Sequence, residues 1–259
     1  MITAIRSYAF SLVALIWTIG LCILYLPLLA APRHVHAAGV RFWARGLLVL
    51  LAAVCGLRHR IEGCQNVPRQ AAIIAAKHQS AWETIALGAI LDRPLFILKK
   101  ELLSVPLIGW HFRKAGNIPV DRAMGAKALR GMVPAAEAAI AAGHQLIVFP
   151  EGTRVGLGES HPYQPGIAAL YARIEAPVIP VALDAGRFWP RRSAIKHPGT
   201  ITLSFLPAMP KGLDRRAFMA ELEARMEGET RRLLAQPDPP VSNKERTAVV
   251  DGRAARDLK

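Results

Sequence analysis

Between Arg6 and Arg33 the chain has no charged side chain; Ser7–Pro32 reads SYAFSLVALIWTIGLCILYLPLLAAP. This run exceeds the roughly 20 residues that a helix needs to cross a bilayer. A chain with such a start must bury it in lipid or against protein. Pro27 is expected to stop or kink the helix near its end. Tyr8, Trp17 and Tyr25 are residue types that settle at membrane–water interfaces. A cleaved secretory signal fits less well, because the apolar region is too long and Arg6 is the one basic residue ahead of it.

Basic residues follow: Arg33, His34, His36, Arg41 and Arg45. A second apolar stretch, Gly46–Leu57, ends at Arg58, His59 and Arg60 and is too short to span alone. Two apolar helices joined by a basic linker predict a hairpin that enters one leaflet and returns, or one span with an interfacial helix. The basic residues then lie at anionic headgroups on the cytoplasmic side of the inner membrane, where positive loops accumulate. A solvated helix flank accounts for them equally well.

Composition narrows the partners. The 259 residues include 33 Lys and Arg against 19 Asp and Glu, a net charge of +14. Apolar residues make up 52% and charged residues 20%, which suits neither a polytopic membrane protein nor a disordered chain. The excess positive charge points to an anionic partner. Nucleic acid is not expected, since no nucleic-acid-binding motif occurs. Cys22, Cys55 and Cys64 show no metal-ligand spacing and are expected to be free thiols. No metal site is expected, and no internal repeat is present.

From Leu57 the pattern changes to short apolar strands alternating with helical segments. Strands are expected at Leu57–Glu62, Ala72–Ala76, Leu95–Leu98, Ile118–Val120, Leu146–Phe149, Val178–Leu183 and Ile201–Phe205. Helices are expected at Ser80–Leu91, Pro106–Arg113, Ala123–Ala142, Pro165–Ala176 and Asp214–Leu234. The alternation implies an α/β fold with a mixed, largely parallel sheet flanked by helices. Three regions result: N-terminal membrane-anchoring helices over 1–56, a catalytic domain over 57–235 and a Pro-rich, then polar, mobile tail over 236–259.

Two stretches carry the chemistry. KHQSAWET, Lys77–Thr84, sits where the apolar run Ala71–Ala76 gives way to a helix. Side chains at the C-terminal ends of strands face the crevice of an α/β fold. A turn there can fold the His78 imidazole back towards Glu83, so that the carboxylate orients one ring nitrogen while the other takes a proton. Ser80-x-x-Glu83 is also an ordinary capping box, in which Glu83 closes onto the amide of the N-cap. The second stretch is FPEGTR, Phe149–Arg154, after the strand QLIV. Gly152 permits a tight turn there. Between them, Ile97–Arg122 is dense in cations, with Lys99, Lys100, Arg113, Lys114 and Arg122; it is either a phosphate site or a solvated basic face.

KHQSAWET, the closing GNIPVDR of the cationic segment, FPEGTR and APVIPVAL (Ala176–Leu183) occur in the order of four motifs of the glycerolipid acyltransferase family, and the chain resembles that family over about Leu57–Phe205. The group includes the 1-acylglycerol-3-phosphate acyltransferases. The resemblance implies a glycerol-3-phosphate acyltransferase-like fold and transfer of an acyl chain from acyl-CoA or acyl carrier protein to the sn-2 hydroxyl of 1-acylglycerol 3-phosphate, forming phosphatidic acid. It implies His78 as the base and Glu83 as its orienting acid. It places Arg122 first, with Glu151, Gly152, Thr153, Arg154, Lys99 and Lys100, at the acceptor phosphate. Glu151 would accept a hydrogen bond from the acceptor or fix Arg154. The oxyanion would be held by amides at the start of the helix after His78. No cofactor is implied beyond the thioester substrate.

Two positions depart from the family pattern. Its first motif usually ends in Asp, where this chain has the longer Glu83; YQPG, Tyr163–Gly166, lacks the usual basic residue and is assigned no ligand contact. An acceptor such as lyso-ornithine lipid, with a carboxylate in place of the phosphate, is the nearest enzymatic alternative. A scaffold that binds anionic lipid is the non-enzymatic one; it needs the cations but not the His–acid pair.

Overall fold

The computed structural model describes residues 1–121 and 126–237. Arg122, the start of the helix expected at Ala123–Ala142 and the tail over 238–259 lie outside them.

Seven strands form one sheet: β1 (Leu57–Glu62), β2 (Ala72–Ala76), β3 (Pro94–Lys99), β4 (Ile118–Val120), β5 (Gln145–Val148), β6 (Val178–Leu183) and β7 (Gly199–Phe205). Their order is β1-β7-β6-β2-β5-β3-β4. The five strands from β6 to β4 are mutually parallel. β7 pairs antiparallel with β6 and parallel with β1, so β1 and β7 run against the other five. The sheet is mixed and largely parallel, as the alternation of elements requires.

The continuous apolar run of β2 reflects burial on both faces. Ala72, Ile74 and Ala76 pack with Ile147, Ile179 and Val181 on one face. Ile73 and Ala75 pack with Leu146, Val148 and Val178 on the other. The first face is covered by α3 (Trp82–Ile90), and α4 (Ile108–Ala115) follows β3. The second is covered by α5 (Ala126–Ala141), α6 (Gly166–Arg173) and α7 (Arg215–Ala235), through residues such as Ala136, Ile167, Leu170, Phe218, Leu222 and Met226. Asp214 caps α7 by accepting the Ala217 amide at 2.8 Å.

The N-terminal helices differ from the expected hairpin in two respects. α1 spans Ile2–Leu24 and α2 spans Arg33–Leu50, continued by a π-helical turn over Leu51–Cys55. A 3-10 turn at Leu26–Leu29 joins them at Pro27. The basic residues Arg33–Arg45 are therefore not a linker but the first half of α2, since nothing after Pro32 interrupts the helix. Ile2–Leu24 and Arg33–Cys55 are each 23 residues long and apolar enough to cross a membrane. Nor is the hairpin a separate layer. Phe10, Ala44, Leu48 and Leu51 share one core with β2, β6 and α3, so the boundary at 56/57 divides the sequence but not the packing. Ser11 Oγ receives a 2.7 Å hydrogen bond from the buried Lys196, whose ammonium lies 5.2 Å from the ring centre of Phe10 and 4.9 Å from that of Trp189. The outward face of α1 shows Ile5, Tyr8, Leu12, Leu15, Ile16 and Ile19 to solvent.

Candidate active site

β2, β5, β3 and β4 are parallel and adjacent, so the segments that leave their C-terminal ends emerge along one edge of the sheet. Those segments carry His78, then Phe149–Arg154, then Lys99 and Lys100, then Asp121. The sheet thus assembles at one edge motifs that the sequence keeps apart.

His78 lies just beyond β2, and its side chain is 16% exposed. Its Nδ1 is 2.8 Å from Glu83 Oε1. The same oxygen accepts the amides of Gln79 and Ser80 at 2.8 and 2.7 Å. An oxygen that already accepts two N–H groups is an acceptor for the ring as well, so Nδ1 carries the proton. Nε2 then holds the lone pair of the neutral ring, and it has no hydrogen-bond partner among the described residues. Glu83 is fully buried. The His–acid pair and the capping box are thus one arrangement. The helix itself starts two residues later than expected, at Trp82, and Ser80 Oγ accepts the Trp82 amide at 3.3 Å.

Other contacts hold the remainder of His78. Its N–H donates to Glu151 Oε2 at 2.8 Å, and its carbonyl accepts the Val155 amide at 2.7 Å. The ring stacks on Phe149, with centroids 4.0 Å apart and planes 17° from parallel. Neither the Phe149 contact nor the Glu151 contact follows from a local sequence signal. Both need β2 and β5 to be neighbours.

Glu151 occupies a different place from the one expected at the acceptor. It is 1% exposed and forms an ion pair with Lys77. It fixes no arginine among the described residues and faces no open space, because burial turns its carboxylate towards the His78 amide and the Lys77 ammonium. Gly152, with φ +69°, makes the turn beyond it, and a Cβ there would lie 3.0 Å from Gln164 Cγ. The turn leaves Thr153 and Arg154 exposed, and Arg154 meets no carboxylate among the described residues. Lys99 and Lys100 are also exposed; they pair with Glu101 at 3.2 Å and Asp121 at 3.6 Å, contacts that solvent makes weak. Arg122, the cation weighted most heavily from sequence, lies outside the described residues. Tyr163 faces inward and donates to Glu227 Oε1 at 3.1 Å.

The amides expected to stabilise an oxyanion at the helix start are in large part committed elsewhere. Those of Gln79 and Ser80 go to Glu83, that of Trp82 goes to Ser80, and that of His78 goes to Glu151. The reason is geometric: the acid that holds the ring reaches it by closing over the same turn. No group of three His, Cys, Asp or Glu suited to a metal ion occurs among the described residues.

Residues 58–184 match the sequence model of the acyltransferase family. The 1-acyl-sn-glycerol-3-phosphate acyltransferase of Pseudomonas aeruginosa is 33% identical over 244 residues, covering 92% of this chain and 93% of that protein. The chain belongs to the glycerolipid acyltransferase family. The mouse 1-acyl-sn-glycerol-3-phosphate acyltransferase alpha is 28% identical over 196 residues, 74% of this chain and 68% of that one. The fold of this acyltransferase is shared with the crystal structure of the 1-acyl-sn-glycerophosphate acyltransferase PlsC from Thermotoga maritima, at a TM-score of 0.73 and 20% identity over 92% of this chain and 98% of that one. Within the acyltransferase, residues 58–184 hold His78, Glu83 and the FPEGTR turn; the hairpin precedes them.

Proposed function

We propose that this acyltransferase transfers an acyl chain from a thioester to the sn-2 hydroxyl of 1-acylglycerol 3-phosphate, forming phosphatidic acid. The observation that carries the chemistry is the His78–Glu83 pair, with Nδ1 tied down at 2.8 Å and Nε2 unpartnered among the described residues. Nε2 takes the proton of the acceptor hydroxyl as its oxygen attacks the thioester carbonyl. Glu83 stabilises the imidazolium that forms. The tetrahedral intermediate then expels the thiolate, which recovers the proton from His78. A thiolate is a good leaving group, so no covalent enzyme intermediate is required.

Arg154, exposed at the same sheet edge, offers a planar fork to the acceptor phosphate, and Lys99 and Lys100 add positive charge. Such anchoring converts binding energy into positioning of the hydroxyl. The donor is an acyl-CoA or an acyl carrier protein thioester; both are acidic, which suits a chain of net charge +14. The two apolar N-terminal helices associate with the membrane from which a lipid acceptor is drawn. We place the catalytic domain on the cytoplasmic side of the inner membrane, with the basic half of α2 at the headgroups.

The test is acyl transfer by purified protein in mixed micelles. Acyl-CoA and acyl carrier protein thioesters are supplied separately, with lysophosphatidic acid or lyso-ornithine lipid as acceptor. Phosphatidic acid is expected from wild type and not from His78→Ala, while binding to anionic vesicles persists in both. Product with the ornithine acceptor alone would move the substrate. Vesicle binding without turnover would leave a scaffold.

A further inference from the structure

The lysine that precedes the base is buried, and its partners come from other elements. Lys77 is 4% exposed, pairs with Glu151 and donates to Glu227 Oε1 at 2.7 Å. Glu227 stands on α7 and also accepts the Tyr163 hydroxyl at 3.1 Å. The Lys77 ammonium lies 5.8 Å from the Tyr163 ring centre. Glu151 in turn accepts the backbone N–H of His78 at 2.8 Å. A continuous polar chain therefore runs from α7 through Lys77 and Glu151 to the peptide unit of His78. Lys77 and Glu227 have no place in the acyl-transfer chemistry described above.

We propose that Lys77 is a positioning residue for acyl transfer: by holding Glu151 in place, it fixes the main-chain N–H of His78 and so the direction in which Nε2 meets the acceptor hydroxyl. This rests on His78 being the base. The imidazole is already held at Nδ1 by Glu83 and across its face by Phe149. Those contacts orient the ring relative to its backbone. The N–H to Glu151 and the carbonyl to Val155 orient the backbone itself relative to the sheet. Loss of one of these anchors lets the peptide unit rotate and carries the ring with it.

The electrostatics explain why Glu151 needs the lysine. Burial holds the Glu151 carboxyl above its ordinary pKa, and the Lys77 ammonium is the main influence that limits the rise. Burial also works against the Lys77 charge, but Glu151 and Glu227 together hold its pKa above the ordinary value. A buried ion pair is poor evidence of a stabilising role, since an apolar replacement of equal volume is often neutral. What the pair does here is hold an acceptor oxygen against one specific amide.

The experiment compares wild type, His78→Ala, Lys77→Met and the double variant Lys77→Met/Glu151→Gln in the micellar assay, each confirmed folded by circular dichroism at the assay temperature. Wild type active and His78→Ala inactive establishes the base independently of the lysine. Lys77→Met is expected to lower kcat by about tenfold or more, with KM for the acceptor within about twofold. The double variant leaves no lone buried charge, yet keeps an amide oxygen to accept the His78 N–H. Its kcat is expected to rise at least about fivefold above that of Lys77→Met. Wild-type kcat in Lys77→Met, or a double variant no better than the single one, would overturn the proposal. Should Lys77→Met fail to fold, Lys77→Met/Glu151→Gln is compared with Lys77→Met/Glu151→Leu, which lacks the acceptor. A higher kcat for the glutamine form supports the role, and equal kcat overturns it.

Discussion

His78 and Glu83 meet across a strand-to-helix turn, Nδ1 to Oε1 at 2.8 Å, on an oxygen that also accepts the amides of Gln79 and Ser80. Three N–H groups converge on one buried oxygen. The acid therefore cannot rotate away from the ring without uncapping the turn, and the imidazole is preorganised before any substrate arrives.

Glu83→Gln keeps an oxygen for the two amides but removes the charge that stabilises the imidazolium. We expect kcat to fall about 100-fold or more with little change in the acceptor KM. Steady-state kinetics on the folded variant decide it; a kcat close to that of wild type would mean that Glu83 is a capping residue alone.

Arg154 is exposed and meets no carboxylate among the described residues, so its removal costs the fold little. A charge-assisted hydrogen bond to phosphate is worth about 1.5–3 kcal/mol, so Arg154→Ala should lower kcat/KM for lysophosphatidic acid about 10- to 100-fold. Lys99→Ala should lower it less, since Lys99 is a point charge already shared with Glu101. Equal kcat/KM for Arg154→Ala and wild type would remove the arginine from the phosphate site.

A stability prediction concerns the opposite edge of the sheet. Gly63 follows β1, with φ +70°, and a Cβ there would lie 2.0 Å from the Phe205 carbonyl oxygen. Gly63→Ala must move backbone, and the expected loss is about 2 kcal/mol or more, read as a lower Tm in detergent. Because β1 runs against β2, this turn lies away from the catalytic edge, and the folded fraction should turn over at the wild-type rate.

His59 supplies a pH dependence. Burial lowers its pKa to about 4, from an ordinary value of 6.5. Its ring leans on Trp82 at 5.7 Å, although part of its surface still reaches solvent. The folded state thus prefers the neutral ring. Nothing is lost above pH 6.5, and stability declines as pH falls from there towards 4. Discounted for partial exposure, the loss is about 2 kcal/mol. His59→Phe should retain the packing and remove this part of the decline, so the Tm difference between variant and wild type should widen between pH 7 and pH 4.5 (about the range in which the ring titrates). A constant difference across that range would rule out His59 as its source.

Much of the fold was legible because its signals are local. β1, β2, β4 and β6 occupy the spans read from apolar runs and flanking turns; β3 and β5 differ from theirs by one residue at each end, and β7 by two at its start. The His78–Glu83 pairing was legible for the same reason: five positions across one turn leave few alternatives. The length of α2 was not, because a charged stretch between two apolar ones reads as a linker, whereas arginine is a good helix former and its long stem can lie along apolar surface.

What the sequence by itself determined, then, is an apolar N-terminus suited to lipid, an α/β catalytic domain, a histidine with its acid and an arginine turn. Each depends on spacing within a few residues. Tertiary structure alone decided the reversal of β7 and β1, the merging of the hairpin with the domain core, and the removal of Glu151 from the acceptor to the amide of His78. It also decided the link from Lys77 to Glu227, 150 positions apart in the chain. Such contacts require that distant strands and helices already lie side by side, and no local pattern records which residue will stand opposite which.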